Sequence, residues 1–410
     1  MKNPFLEVLK EINFLKIWGS QILSQITINL INFVIVVQIF EATHSNVAVS
    51  LVWFFYAIPA VLLGPFSGTL VDIFSKRKIL MFTNFIQATV VLCYLLVKQK
   101  IWPIYSIVFL YSLVNQLYLP AESSTLPWVV PKKLLPAANS LFLFTVYGAL
   151  LLGFGFSGPL MRLIGRESPF MLGSFFLFTA SILVSLLPQE KKKEKIKSIK
   201  FFLLRVKEGY LFIKSQPLIL FPLFLFVFSQ VIIGIIAVLG PSLATEVFLI
   251  DLLDIGPLLI LPMGIGAVGG SVFTTFFLKR KVRKKKFISF ALILASFSIF
   301  STATLASLAG RLSSLLGIII TFFLGISIVM VLIPVQTILQ EKTPEDKRGR
   351  VFGVLGFSIT LASVLPVLFA ATLADVLGIR FVLLIVSFML FIVWLFSLKE
   401  PYEIFSNNRS

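Results

Sequence analysis

Twelve apolar stretches follow one another along this sequence, at 14–40, 48–71, 79–97, 102–126, 138–161, 169–188, 217–241, 256–278, 287–308, 313–338, 351–374 and 379–398. Each is close to the length of about 20 residues with which a helix crosses a bilayer. A backbone in hydrocarbon must satisfy its own N–H and C=O groups, which a helix does within its own segment. Composition agrees. Hydrophobic residues make up 58% of the 410 residues and charged residues 13%, against about 25% charged in a soluble domain. Mean hydropathy is +1.00. A water-soluble fold of this size could not hide so much apolar surface, so the excess faces lipid. The expected fold class is an all-α membrane protein with 12 transmembrane helices.

The first stretch follows the charged lead MKNPFLEVLKEINFLK. Its length, its amides and its lack of a small-residue cleavage site read as a retained span rather than a signal peptide. The lone Cys93 and the lone His44 leave no intrachain disulfide and no zinc or haem set. No cofactor and no metal are expected.

Basic residues orient the bundle. With the N-terminus inside, thirty of the 36 Lys and Arg fall on inner turns, clustered at 76–78, 191–214, 279–286 and 342–350 among others. Six fall outside: Lys98, Lys100, Arg162, Arg166, Arg311 and Arg380. Trp53 and Trp102 sit at outer ends and Trp18 and Trp128 at inner ends, where indoles favour the membrane boundary. The net charge of +18 is thus topology and attraction to anionic lipid heads, with no nucleic-acid partner. The expected location is the cytoplasmic (plasma) membrane, multi-pass, with both termini cytoplasmic.

The longest polar segment, PQEKKKEKIKSIK from Pro188, lies in the middle, followed by FFLLRVKEGYLFIK, Phe201–Lys214, which reads as a helix on the inner surface. The division expected is residues 1–188 as one six-helix bundle, 189–216 as a cytoplasmic linker with the interfacial helix, and 217–410 as the second bundle. The halves echo each other. GPFSGTLVDIFSKRK after the second span matches GIGAVGGSVFTTFFLKRK in the eighth span and the turn after it. LPAESSTLPWVVPKKLLPAAN after the fourth span matches IPVQTILQEKTPEDKRGRV after the tenth. Paired Gly- and Pro-marked segments in a weak internal repeat point to a secondary transporter.

On these residues the chain resembles the major facilitator superfamily (MFS) from end to end. GTLVDIFSKRK is similar to that family's signature between spans two and three. Gly68, Leu70, Asp72, Lys76, Arg77 and Lys78 match, while Ile73 stands where a base is usual and Ser75 where Gly is usual. PAESSTLPWVVPKKLLPAAN, QTILQEKTPEDKRGRVFG and Glu208–Gly209 resemble the branch of macrolide-efflux and siderophore-export proteins. The resemblance implies the MFS fold of two six-helix bundles. It also implies an inner latch in which Asp72 meets the positive N-terminal end of span eleven near Arg350. Gly68, Lys76, Arg77 and Lys78 would tune that latch. Two positions depart from the family's drug–proton antiporters: Tyr111 occupies the place of the span-four arginine, and Met161 and Arg162 replace a glycine pair after span five.

Candidate site residues come from helical spacing. Gln21, Gln25, Asn29 and Asn32 lie within about 80° of one another on the first span. They read either as a cavity wall offering neutral hydrogen-bond groups to cargo or as bonds to neighbouring helices. Tyr111, Asn115, Tyr118 and Glu122 lie within about 60° on the fourth. Glu122 is the most membrane-embedded acid and the proton-coupling candidate; the alternative reading is a hydrated carboxylate near the inner end of span four. Gln230, Gln336 and Gln340 are the cavity amides of the second half. A pocket of amides, Tyr and Phe favours a hydrophobic or amphipathic small molecule, drug- or macrolide-like, over a sugar or an ion.

The function expected is secondary transport by alternating access, in the export direction, by a monomer with protons as candidate coupling ions. The alternative is transport of a lysophospholipid or other lipid on the same fold. An enzyme is not expected. Asp251-Leu-Leu-Asp254 could hold a metal-bound diphosphate, but no histidine or second acidic pair backs it. No Walker lysine loop is present, which speaks against ATP-driven pumping.

Overall fold

The computed structural model describes residues 4–97, 100–189, 211, 213–214, 216–279, 284–305 and 311–399. Twelve helices among them are long and apolar enough to span a membrane. They are α1 (Ile12–Thr43), α2 (Asn46–Ile73), α3 (Lys76–Val97), α4 (Ile101–Val129), α5 (Leu135–Ile164), α6 (Ser168–Ser185), α7 (Pro217–Val238), α8 (Leu261–Lys279), α9 (Lys284–Leu305), α10 (Arg311–Lys342), α11 (Glu345–Leu377) and α12 (Ile379–Lys399). A short helix, Pro4–Val8, precedes α1. The chain is thus a multi-pass, all-helical membrane protein.

Helix ends differ from the apolar stretches in a consistent way. α11 starts six residues before its apolar run, through EDKRGR, and α10 continues to Lys342. A helix satisfies its backbone wherever it runs, whereas hydropathy marks only the part in lipid. α1 stops where His44 turns left-handed (φ 48°) and its N–H closes on the Phe40 carbonyl at 2.7 Å. Gly165 (φ 106°) and Gly378 (φ 88°) end α5 and α11. Within the expected linker and surface helix, 189–216, only residues 189, 211, 213, 214 and 216 are described, and the rest of that segment lies outside the described residues.

Contacts divide the chain into two compact units, Met1–His44 with Leu51–Phe202, and Ser45–Ser50 with Leu203–Ser410. In the first unit α1 packs on α5 and α6, and α3 packs on α4 and α6. One cluster of buried side chains gathers Phe14, Ile17, Leu80, Tyr118, Leu126 and Val184. Trp18 stacks on Phe14 at 5.7 Å and donates its indole N–H to Thr145 Oγ1 at 2.8 Å. Arg166 grips both oxygens of Glu41, tying the α5–α6 turn to the end of α1.

The second unit repeats several of these pairings: α7 with α11, α9 with α10, and α9 with α12. Its tightest contact is α8 on α10. A Cβ built on Gly266 would lie 2.0 Å from the Phe322 carbonyl oxygen, and one on Gly325 would lie 1.9 Å from that of Met263. Here the backbones touch, and only hydrogen fits between them. Gly153 likewise stands against Asn29 of α1, whereas Gly148 and Gly269 meet nothing within 4 Å.

The first turn of α2 belongs to this second unit. Asp375, near the end of α11, accepts from the Asn46 backbone N–H (2.8 Å), the Asn46 amide (2.9 Å), the Val47 N–H (3.0 Å) and the Ser45 hydroxyl (2.5 Å). The carboxylate thereby caps a helix N-terminus, where free N–H groups and the helix dipole favour a negative charge. Asn46 Oδ1 in turn accepts from the buried Ser242 hydroxyl at 2.9 Å.

Two outcomes follow from this packing. Gly325→Ala is expected to cost about 1–3 kcal/mol, as overpacking against backbone does. A melting curve of the purified protein checks it, with Gly269→Ala unchanged beside it. Asp375→Ala is expected to cost about 1 kcal/mol, the usual worth of an N-cap. In the same melting assay Asp375→Ser should recover part of the loss, because a hydroxyl can still accept one of the N–H groups.

Candidate functional site

The first unit holds a buried polar seam built by α1, α3 and α4, with α2 at its edge. α4 supplies Tyr111, Ser112, Asn115, Gln116, Tyr118 and Glu122, all buried. The i, i+3/i+4 spacing sets them along one face of the helix. α1 contributes Ser20, Gln21 and Ser24, and α3 contributes Thr83, Asn84 and Gln87, also buried.

Two chains of hydrogen bonds run through the seam. In the first, the Tyr118 hydroxyl donates to Glu122 Oε1 at 2.7 Å, with the Ser20 and Ser24 hydroxyls in reach of the same phenol. Ser24 donates to Asn84 Oδ1 at 3.1 Å, and Asn84 Nδ2 donates to Ser20 Oγ at 3.2 Å. In the second, Gln87 Nε2 donates to Asn115 Oδ1 (3.2 Å) and Asn115 Nδ2 donates to the Tyr56 hydroxyl of α2 (2.9 Å). The Ser112 hydroxyl donates to the Tyr56 carbonyl at 2.5 Å. Tyr111 lies beside Tyr94 and Tyr56. Among the described residues Glu122, 6% exposed, is the one buried Asp, Glu, Lys, Arg or His side chain. Every partner around it is neutral, so the seam has a single titratable carboxyl set among hydroxyls, phenols and amides.

The residues expected from sequence divide accordingly. Asn115, Tyr118 and Glu122 are in the seam, and Tyr111 is buried next to it. Gln21 is 2% exposed; its amide N–H reaches the Phe142 carbonyl only at 3.5 Å, and its Oε1 is buried without a partner. Gln25, Asn29 and Asn32 are half-buried, and Asn29 bonds back to the Gln25 carbonyl at 2.7 Å. In the second unit Gln230 is half-buried on α7, and Gln336 and Gln340 are exposed on α10. Lys76 and Arg77 are half-buried and Lys78 exposed in the first turn of α3. The side chains of Gly68, Asp72 and Arg350 lie outside the described residues, and the inner latch with them.

Sequence reasoning missed Ser20, Ser24, Asn84 and Gln87. The signal for the last two was present: TNFIQ interrupts the third span with amides, as Gln21 and Gln25 interrupt the first. Asp251, the first acid of the DLLD motif, accepts from the Leu253 N–H at 2.8 Å and caps a short turn. Among the described residues no group of three or more His, Cys, Asp or Glu side chains could hold a metal ion.

Comparison with known proteins places this arrangement. The uncharacterized MFS-type transporter YfiS of Bacillus subtilis is 24% identical over 371 residues, spanning 89% of this chain and 87% of its own length. Macrolide efflux protein A of Streptococcus pyogenes is 23% identical over 396 residues, covering 90% of this chain and 91% of its own. Among solved structures, a bacterial homolog of the human lysosomal transporter Spinster superposes with a TM-score of 0.73 at 13% identity, over 99% of this chain and 98% of that one. The nucleoside transporter NupG gives 0.71 at 11% identity, over 94% of this chain and 98% of that one. At these identities the two structures speak for the fold. Residues 17–366 match the profile described as Major Facilitator Superfamily, and with twelve spanning helices in this arrangement the chain belongs to that family of membrane transporters.

Proposed function

We propose that this transporter exports a hydrophobic or amphipathic small molecule by alternating access, driven by protons that Glu122 carries. The observation that carries the reading is the seam itself: one buried carboxyl, bonded to Tyr118 and surrounded by neutral groups. An intramembrane ionisable residue is a functional candidate because its charged form is costly there and must be matched to a task. The lack of fixed charge beside it suits a cargo recognised by apolar contact and a few hydrogen bonds. Similarity to a macrolide efflux protein over nine-tenths of the chain supports the direction and the cargo class. The inward bias of thirty of the 36 basic residues supports a cytoplasmic membrane location with both termini inside. The chain would work as a monomer.

The test is uptake into everted vesicles, with and without a proton gradient, over a panel of lipophilic drugs and lysolipids. A drug should accumulate only when the gradient is present. Glu122→Gln should cut gradient-driven uptake by about tenfold or more while the protein still inserts and melts as the parent does. Tyr118→Phe should reduce it by less, because the carboxyl remains. Wild-type uptake by Glu122→Gln at every pH would exclude the proton role. Accumulation of lysolipids instead of drugs would replace the cargo.

A further inference from the structure

The second unit carries a groove that lies outside the polar seam. α9 and α12 meet at two serines: Ser296 donates to the Ser387 carbonyl at 2.9 Å, and Ser387 donates to the Ser296 carbonyl at 3.0 Å. These small side chains draw the helices together, while larger ones stand on either side. Phe290, Phe297 and Phe300 form one wall, and Leu384, Phe388 and Phe391 form the other. The result is an open, almost wholly apolar groove of about 700 Å³. Two of its rings are exposed, Phe297 at 66% and Phe388 at 63%.

The groove has one polar end. Phe290 and Ile293 are shared with an adjoining hollow of about 470 Å³ that is also lined by Lys285, Lys286, Ser289 and Trp394. Lys285 Nζ donates to the Leu398 carbonyl at 2.8 Å, which holds its ammonium across the mouth between the two helices. The neighbouring acid, Glu341, is engaged by Lys284. Among the described residues no acid lines the groove or the hollow.

The dimensions match one leaflet. From Phe290 to Phe300 the helix rises about 15 Å, which is half of a hydrocarbon core about 30 Å thick. The lysines and Trp394 then fall at the membrane boundary, where both residue types concentrate. A flat apolar face on a spanning helix needs only bulk lipid. A concave aromatic channel with two cations at its boundary end asks for an acyl chain attached to an anion.

We propose that this groove binds a diacyl anionic phospholipid, with one acyl chain along the phenylalanine walls and the phosphate against Lys285 and Lys286. The inference does not depend on the cargo or on proton coupling, and its test does not use transport.

Delipidated full-length protein in detergent would be titrated with phosphatidylglycerol, with phosphatidylcholine of the same chains, with a short-chain phosphatidylglycerol and with inorganic phosphate. Native mass spectrometry counts bound lipid and a melting curve reports stabilisation. Long-chain phosphatidylglycerol should bind as a resolved adduct and raise Tm, and the other three should do so weakly or not at all. The double substitution Lys285→Gln with Lys286→Gln should weaken phosphatidylglycerol binding by about tenfold or more and leave phosphatidylcholine unchanged. Phe297→Ala should weaken the long-chain lipid and not the short-chain one. Equal binding of the two long-chain lipids, or wild-type binding by the double variant, would overturn the proposal. So would disulfide cross-linking of two copies through Phe297→Cys in phosphatidylglycerol membranes, which would make the groove an interface between copies.

Discussion

A polar group inside a membrane bundle has no water to turn to, and leaving it unbonded costs free energy on the order of a few kcal/mol. That constraint arranges the first unit. Its spans are so apolar that the amides, hydroxyls and phenols they carry bond to one another or to backbone carbonyls. Asn84 on α3 reaches Ser20 and Ser24 on α1, Gln87 reaches Asn115 on α4, and Asn115 reaches Tyr56 on α2. Each bond is directional, so together they set rotation and depth for four helices that van der Waals packing alone would hold less specifically. Glu122 is part of the same solution, since Tyr118 one turn earlier on α4 supplies its donor.

The second unit meets the problem of close packing by other means. α8 and α10 approach until backbone meets backbone at Gly266 and Gly325, and α9 and α12 are joined by a reciprocal pair of serine-to-carbonyl bonds. Small residues are the common device, because lipid tails offer no hydrophobic drive for helix association and contact area must come from close approach. The same smallness opens the groove: two serines at a contact flanked by phenylalanines leave a channel between the rings.

Different parts of this were legible in the sequence to different degrees. The twelve spans could be read because their signal is a property of each segment alone. Their ends could not, since EDKRGR before the eleventh span is polar and yet helical. The Tyr118–Glu122 pair could be read because both partners lie on one helix at a spacing of four. On the first span the amides attracted the reading, but the bonding face of the network is that of Ser20 and Ser24, one residue away from Gln21 and so about 100° around the helix. Serine and threonine hide in apolar spans because they can bond their own preceding turn, as Thr27 does to the Leu23 carbonyl at 2.8 Å. The groove was beyond reach for a different reason: its walls come from helices about ninety residues apart, and nothing local marks them as neighbours.

The neutrality of the seam has a bearing on how such a bundle can change shape. A buried ion pair is hard to rearrange, because separating the partners strands a charge in a medium of low dielectric. A neutral hydrogen bond contributes only about 1 kcal/mol net, and its partners can be exchanged for others of the same kind. In a seam of serines, amides and phenols a donor that loses one acceptor can be taken up by another group of the same kind, so a shift of a helix costs little per bond. Glu122 aside, charged residues bond near helix ends, as with Asp375 on the first turn of α2 and Lys285 on the Leu398 carbonyl of α12. There, water and headgroups can take over a broken contact. The proposed alternation between states would be served by this division, in which the strong electrostatic contacts sit where solvent can relieve them and the interior is held by bonds weak enough to trade.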